Sequence, residues 1–151
     1  MNLARRKLHI FLFSGYGVLM LWLLFHRPGY MDGIPYWQQV EGNLNLIPFR
    51  TLRLFVRLLQ SSRPYLVRAA VINLAGNVIM FIPLGMFPPL LFQKLSRFRN
   101  VLLMTAMIIA AVELTQLFTL VGSCDVDDLI LNLTGAALGY ALYKRINKPD
   151  C

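Results

Sequence analysis

Four long apolar runs dominate the chain, at residues 8–25, 69–87, 101–121 and 129–145. At 1.5 Å of rise per residue these are helices of roughly 22 to 32 Å, against a hydrocarbon core of about 30 Å. Helices keep every backbone N–H and C=O satisfied within themselves, which is what an apolar solvent demands. Between the first and second runs, residues 48–60 follow another pattern. Arg50, Arg53 and Arg57 recur at helical spacing, with Leu52, Phe55, Val56 and Leu59 available for a different face. This predicts an amphipathic helix lying on the membrane surface, with Pro48 in its first turn. The expected fold is all-α: a polytopic membrane helix bundle of four transmembrane helices, plus that surface helix in the first extracytoplasmic loop. With no linker or soluble segment between the runs, residues 1–151 read as one membrane domain. Arg5, Arg6 and Lys7 before the first run resemble the start of a signal peptide. The run is too long and lacks a small-residue cleavage site, so it reads as an uncleaved anchor.

Composition agrees with this pattern: 57% of the 151 residues are hydrophobic, more apolar surface than a soluble domain of this size hides in one core. The net charge of +8 has an explanation other than nucleic acid. Arg5, Arg6, Lys7, Lys94, Arg97, Arg99, Lys144, Arg145 and Lys148 flank the span ends that fall on one side when the chain crosses four times. By the positive-inside rule both termini are expected in the cytoplasm of a bacterial cytoplasmic-membrane protein. The loop between the third and fourth runs carries Asp125, Asp127 and Asp128 without a base, in agreement. The long loop 26–68 is the exception, with Arg27, Arg50, Arg53, Arg57, Arg63 and Arg68, but charge bias weakens in long loops. The arginines of residues 48–60 suit lipid head groups, or a dedicated anionic ligand.

Threaded in this way, the polar residues inside the spans fall at similar depth below the extracytoplasmic face. Asn73 lies about 6 Å and Asn77 about 12 Å in, one turn apart on one face of the second span. Glu113 and Gln116 lie about 12 and 8 Å in on the third, and Asn132 about 6 Å in on the fourth. Amides in membranes often serve only to hydrogen-bond helices together. Glu113 is more telling, because a carboxylate in hydrocarbon must be protonated, paired or wet. Asp125, Asp127 and Asp128 precede the fourth span, where carboxylates cap the helix and meet its positive dipole end. Capping accounts for one or two of the three, and Asp128 is the most inward. The candidate binding set is therefore Asn73, Asn77, Glu113, Gln116, Asp125, Asp127, Asp128 and Asn132, with Arg50, Arg53 and Arg57. Glu113 and Asp128 are candidates for acid and base, although no nucleophile accompanies them: Ser123 has no neighbouring histidine.

No residues show metal-ligand spacing, and no metal or cofactor is expected; a cation among the aspartates stays open. His9 and His26 sit at the ends of the first span as interfacial anchors. Cys124 and Cys151 fall on opposite sides of the membrane and do not pair. Asn132-Leu133-Thr134 is a glycosylation sequon in form only, being inside an apolar helix. Pro83 and Gly85 predict a kink in the second span, and Pro88 and Pro89 its end. Gly135 and Gly139 predict a close helix approach.

The motifs Asn73-x-x-Gly76-Asn77-x-x-x-Phe81-x-Pro83-x-Gly85, Glu113-x-x-Gln116 and Asp125-Val126-Asp127-Asp128-Leu129-Ile130-x-Asn132-x-x-Gly135-x-x-x-Gly139 resemble the core blocks of the VanZ-like membrane proteins. Asn45-Leu46-Ile47-Pro48-Phe49 resembles the segment that commonly precedes them. Many relatives carry an arginine just before the aspartates; Val121-Gly122-Ser123-Cys124 has none, so an anion-binding role tied to it does not carry over. The resemblance implies a small multi-pass protein of the cell envelope, mainly Gram-positive, with a link to low-level glycopeptide (teicoplanin) resistance. It transfers no reaction. The expected function is recognition of a lipid-linked envelope precursor or an anionic surface polymer, with membrane lipids as further partners and no nucleic acid. The alternatives are an intramembrane hydrolase or transferase using Glu113 and Asp128, and a small transporter acting as an oligomer.

Overall fold

A computed structural model describes residues 2–26 and 31–147; Arg27, Lys148 and Cys151 lie outside the described residues. It is all-α, with helices α1 (Leu3–Phe25), α2 (Tyr36–Gly42), α3 (Arg50–Leu58), α4 (Pro64–Leu91), α5 (Phe98–Thr119) and α6 (Val126–Ile146). Two short strands, β1 (Leu44–Asn45) and β2 (Cys124–Asp125), pair in parallel, with Leu44 opposite Cys124 and Asn45 opposite Asp125. Helices α1, α4 and α5 are long and apolar enough to cross a membrane. Helix α6 has similar length but is less apolar: Asp127 and Asp128 open it, Lys144 and Arg145 close it, and glycines and Asn132 lie between.

The four long helices are threaded with alternating ends. At one end the β1–β2 pair joins the segment before α4 to the loop between α5 and α6. At the other, His9 near the start of α1 meets Phe87 near the end of α4, with rings 6.1 Å apart. There Tyr140 on α6 also donates to the Ser96 carbonyl, between α4 and α5, at 2.7 Å. Arg5, Arg6, Lys7, Lys94, Arg97, Arg99, Lys144 and Arg145 all belong to this second end by position.

Helix α4 is central, and α6 is its principal partner. Their backbones touch. A Cβ on Gly135 would run into the Val78 carbonyl, one on Gly139 into that of Ile82, and one on Gly85 into that of Ala136. Three glycines, with wholly buried Ala136, thus set the approach, as small residues do where helices associate without a hydrophobic driving force. Met20, Phe81, Leu84 and Ile109 make the core beside this contact, packed by Phe13, Tyr16 and Leu24 of α1. Most of the rest of α1 is exposed, Phe11 at 75% and Val18 at 70%, as expected of a helix facing lipid.

Two details differ from the sequence reading. Pro88 and Pro89 do not end α4, which continues to Leu91. Proline's fixed φ is helical, and near a C-terminus its missing N–H removes only the bonds to Leu84 and Gly85; Phe92 N–H still reaches the Pro88 carbonyl at 2.8 Å. Helix α3 starts at Arg50, so Pro48 lies outside its first turn. Phe49 is its cap, in the left-handed region with φ 63°. The inward face of α3 is Thr51, Leu52, Phe55 and Leu58, while Val56 and Leu59 are exposed along with the three arginines.

Candidate functional site

The segment from Cys124 to Asp128 knots the β1–β2 end of the bundle together. Asp125 caps α6 by accepting the Asp127 N–H at 2.8 Å, as carboxylates do at helix starts. Its other oxygen accepts from the Asn45 amide at 3.1 Å and from the Thr51 hydroxyl. Asp127, wholly buried, does something the sequence does not announce. One of its oxygens accepts the Phe49 N–H and the other the Leu52 N–H at 3.0 Å, so it caps α3 from a distant part of the chain. These are the N-cap and N3 donors that a local capping box satisfies with two side chains. Asp127 also stands in the first turn of α6, so a single carboxylate meets the positive ends of two helix dipoles. The left-handed Phe49 backbone, a conformation costing about 1–3 kcal/mol, is what turns its N–H toward Asp127.

Below this knot is a cavity of about 540 Å³, within the range of small-molecule sites. Leu23 and Leu24 of α1, Phe55 of α3, Ile72, Met80 and Phe81 of α4, and Ile109 and Val112 of α5 give it apolar walls. Its polar lining is Asn73, Asn77, Glu113, Gln116, Ser123, Asp128 and Asn132. The Asn77 amide donates to Asp128 at 2.6 Å, and the Gln116 amide to the Leu24 carbonyl at 2.8 Å, tying α1 to α5. Glu113 accepts the Asp125 N–H at 2.7 Å, which links the cavity to the knot. The side-chain oxygens of Asn73 and Asn132 are buried without a hydrogen-bond partner. Each such acceptor is destabilising by about 1–3 kcal/mol unless something donates to it.

Residues 12–147 match the family described as VanZ/LLP1. The chain belongs to the VanZ/LLP1 family. It is also 27% identical over 136 residues to Protein VanZ of Enterococcus faecium, an alignment covering 88% of this chain and 71% of that protein. No solved structure matches it. Family membership and three helices of transmembrane length and apolarity make this VanZ/LLP1 chain a membrane protein.

Of the residues singled out in this VanZ/LLP1 sequence, the cavity brings together Asn73, Asn77, Glu113, Gln116, Asp128 and Asn132. Asp125 and Asp127 stand beside it, their carboxylates given to Asn45, Thr51 and the starts of α3 and α6. Arg50, Arg53 and Arg57 are exposed on α3 and do not line it. Among the described residues no group of three or more His, Cys, Asp or Glu side chains could hold a metal ion. Cys124, half-buried in β2, has its thiol pushed up from the ordinary cysteine range, first by burial and then by the Glu113 and Asp125 carboxylates. Sequence reasoning passed over helix α2, although Pro35 before it and Gly42 at its end are start and stop signals. Its buried Gln39 ties Met31 and Ile34 into the same end, and its Val40 packs on Leu117 and Leu120. The bonds of Asn45 and Thr51 to Asp125 had no local signal.

Proposed function

We propose that this protein crosses the bacterial cytoplasmic membrane four times, with both termini in the cytoplasm, and that its cavity receives a lipid-linked or surface component of the cell envelope from the extracytoplasmic side. The observation that carries this reading is the cavity itself: apolar walls and amide and acid side chains drawn from α4, α5 and α6 meet in one space. The gathering of basic residues at the opposite end supports the orientation. Helix α6, about 32 Å long, suffices for a fourth crossing. The exposed arginines of α3 engage anionic head groups around the cavity's end of the bundle.

The family's link to low-level teicoplanin resistance fits a protein that lowers the drug's access to its target at the surface. Cells expressing Glu113→Gln with Asp128→Asn are expected to bind the drug as cells without the protein do. Protection undiminished at normal expression refutes the site. A membrane-impermeant maleimide labels Cys124 from outside, and Cys151 only after permeabilisation; labelling of both from one side refutes the threading. A second reading, an intramembrane hydrolase or transferase on an envelope lipid, draws on Glu113 and Asp128 lining the same cavity. It requires a lipid product that disappears from extracts of the same double variant.

A further inference from the structure

The turn between α4 and α5 carries a second cavity, at the end of the bundle opposite the first. It is an open groove of about 510 Å³ lined by Gln93, Lys94, Ser96, Arg97 and Asn100. Every one of these side chains is polar, two are cationic and none is acidic. Each acid among the described residues falls within 32–41 or 113–128, at or toward the β1–β2 end, so neither Lys94 nor Arg97 has one of these carboxylates beside it. The groove is also built on a fixed turn. Tyr140 of α6 donates to the Ser96 carbonyl at 2.7 Å, and the Asn100 amide donates to the Lys94 carbonyl at 2.7 Å, across a 3-10 turn at Gln93–Leu95. The Arg97 carbonyl in turn accepts the Asn100 and Val101 N–H groups at the start of α5. No acid stands in the first turn of α5, so its positive dipole end adds to the two cations. Orientation in a membrane needs bases near span ends, but it does not need them to share a space with neutral donors on a fixed backbone. That arrangement suits a phosphate, because little ordering remains to be done when the anion arrives.

We propose that this groove binds the phosphate of an anionic phospholipid from the leaflet on its side of the membrane. The planar fork of Arg97 matches two phosphate oxygens, Lys94 adds a compact charge, and the Gln93 amide and Ser96 hydroxyl add neutral donors. Phe92 and Phe98, exposed just before and just after the groove residues in the chain, offer apolar surface to the acyl chains. The Phe98 ring is steadied against Tyr140, with centroids 5.2 Å apart. That apolar surface is what favours a lipid over a soluble phosphate ester. The site stands apart from the first cavity and does not depend on what that cavity receives.

The test is photo-crosslinking of the full-length protein, in mixed lipid and detergent micelles, to phosphatidylglycerol or phosphatidylcholine carrying a diazirine in one acyl chain. Labelled peptides are mapped by mass spectrometry, so the groove is read separately from α3. Phosphatidylglycerol should label residues 91–104 about 25-fold more than phosphatidylcholine does, two bases at about fivefold each. Lys94→Gln and Arg97→Gln should each erase about fivefold of that preference, and the double variant all of it. Ser96→Asp, which keeps both bases but puts an acid in the groove, should erase it as well. Arg5→Gln with Lys7→Gln removes the same charge at the same end outside the groove and should leave the preference within about twofold. Lys94, Ser96 and Arg97 are exposed, so these variants keep the fold, and unchanged labelling of α3 in the same samples checks that they do. Equal labelling by the two lipids overturns the proposal, as does an equal loss in the Arg5 and Lys7 variant, which would make the attraction one of net charge. Millimolar glycerophosphoglycerol, the same head group without acyl chains, should leave the labelling in place. If it abolishes the labelling, the groove takes a soluble phosphate ester and the lipid assignment is overturned.

Discussion

Asp127→Ala isolates the most unexpected contact in this protein. The substitution removes both acceptors that hold the Phe49 and Leu52 N–H groups. An unsatisfied backbone donor costs about 1–3 kcal/mol, toward the lower end where opening admits water, and Phe49 is 52% exposed. Losing two donors therefore amounts to about 2–4 kcal/mol, somewhat more than the loss of a single N-cap. Nothing within α3 offsets this. Nine residues are too few for an isolated helix, and Phe49 holds a left-handed conformation that the cap no longer supports. A loss of about 3 kcal/mol raises the undocked population of α3 roughly 100-fold. Hydrogen–deuterium exchange of the protein in detergent should show the amides of residues 50–58 exchanging faster by that order, with the central turns of α4 and α6 unchanged. Asp127→Asn keeps one acceptor oxygen and should fall between wild type and alanine. Unchanged protection of residues 50–58 in Asp127→Ala, or a loss spread evenly over the bundle, refutes the assignment of α3's stability to this cap.

Two further outcomes follow from the packing and the thiol. Gly139→Ala drives a methyl into the Ile82 backbone carbonyl and should destabilise by about 1–3 kcal/mol in a reversible unfolding assay, whereas Gly76→Ala points into open space and should be neutral or stabilising by up to about 1 kcal/mol; equal effects refute the close-contact account. Maleimide labelling of Cys124 needs the thiolate, so its rate should rise with pH at higher values than for a free cysteine. Glu113→Gln removes a negative neighbour, favours the thiolate and should move that profile to lower pH, and an unshifted profile refutes the coupling between Glu113 and Cys124.

The sequence alone determined the elements whose cause is local. Apolar run length set α1, α4 and α5, helical spacing of arginines marked α3, and the spacing of Gly135 and Gly139 announced a close crossing, because these are properties of one segment and its solvent. Depth along each run likewise brought Asn73, Asn77, Glu113, Gln116, Asp128 and Asn132 toward one level, since helical rise is fixed. Only the tertiary structure decided what each acid does. Asp127 and Asp128 are neighbours in sequence, yet one is buried in the cap of α3 and the other lines the cavity beside Asn77. That division depends on where the segment from Asn45 to Leu52 docks, through a two-residue parallel pairing and hydrogen bonds spanning some 75 residues of chain. Such bonds leave no periodicity in the sequence, because each is made by a single residue with a partner that proximity in space supplies.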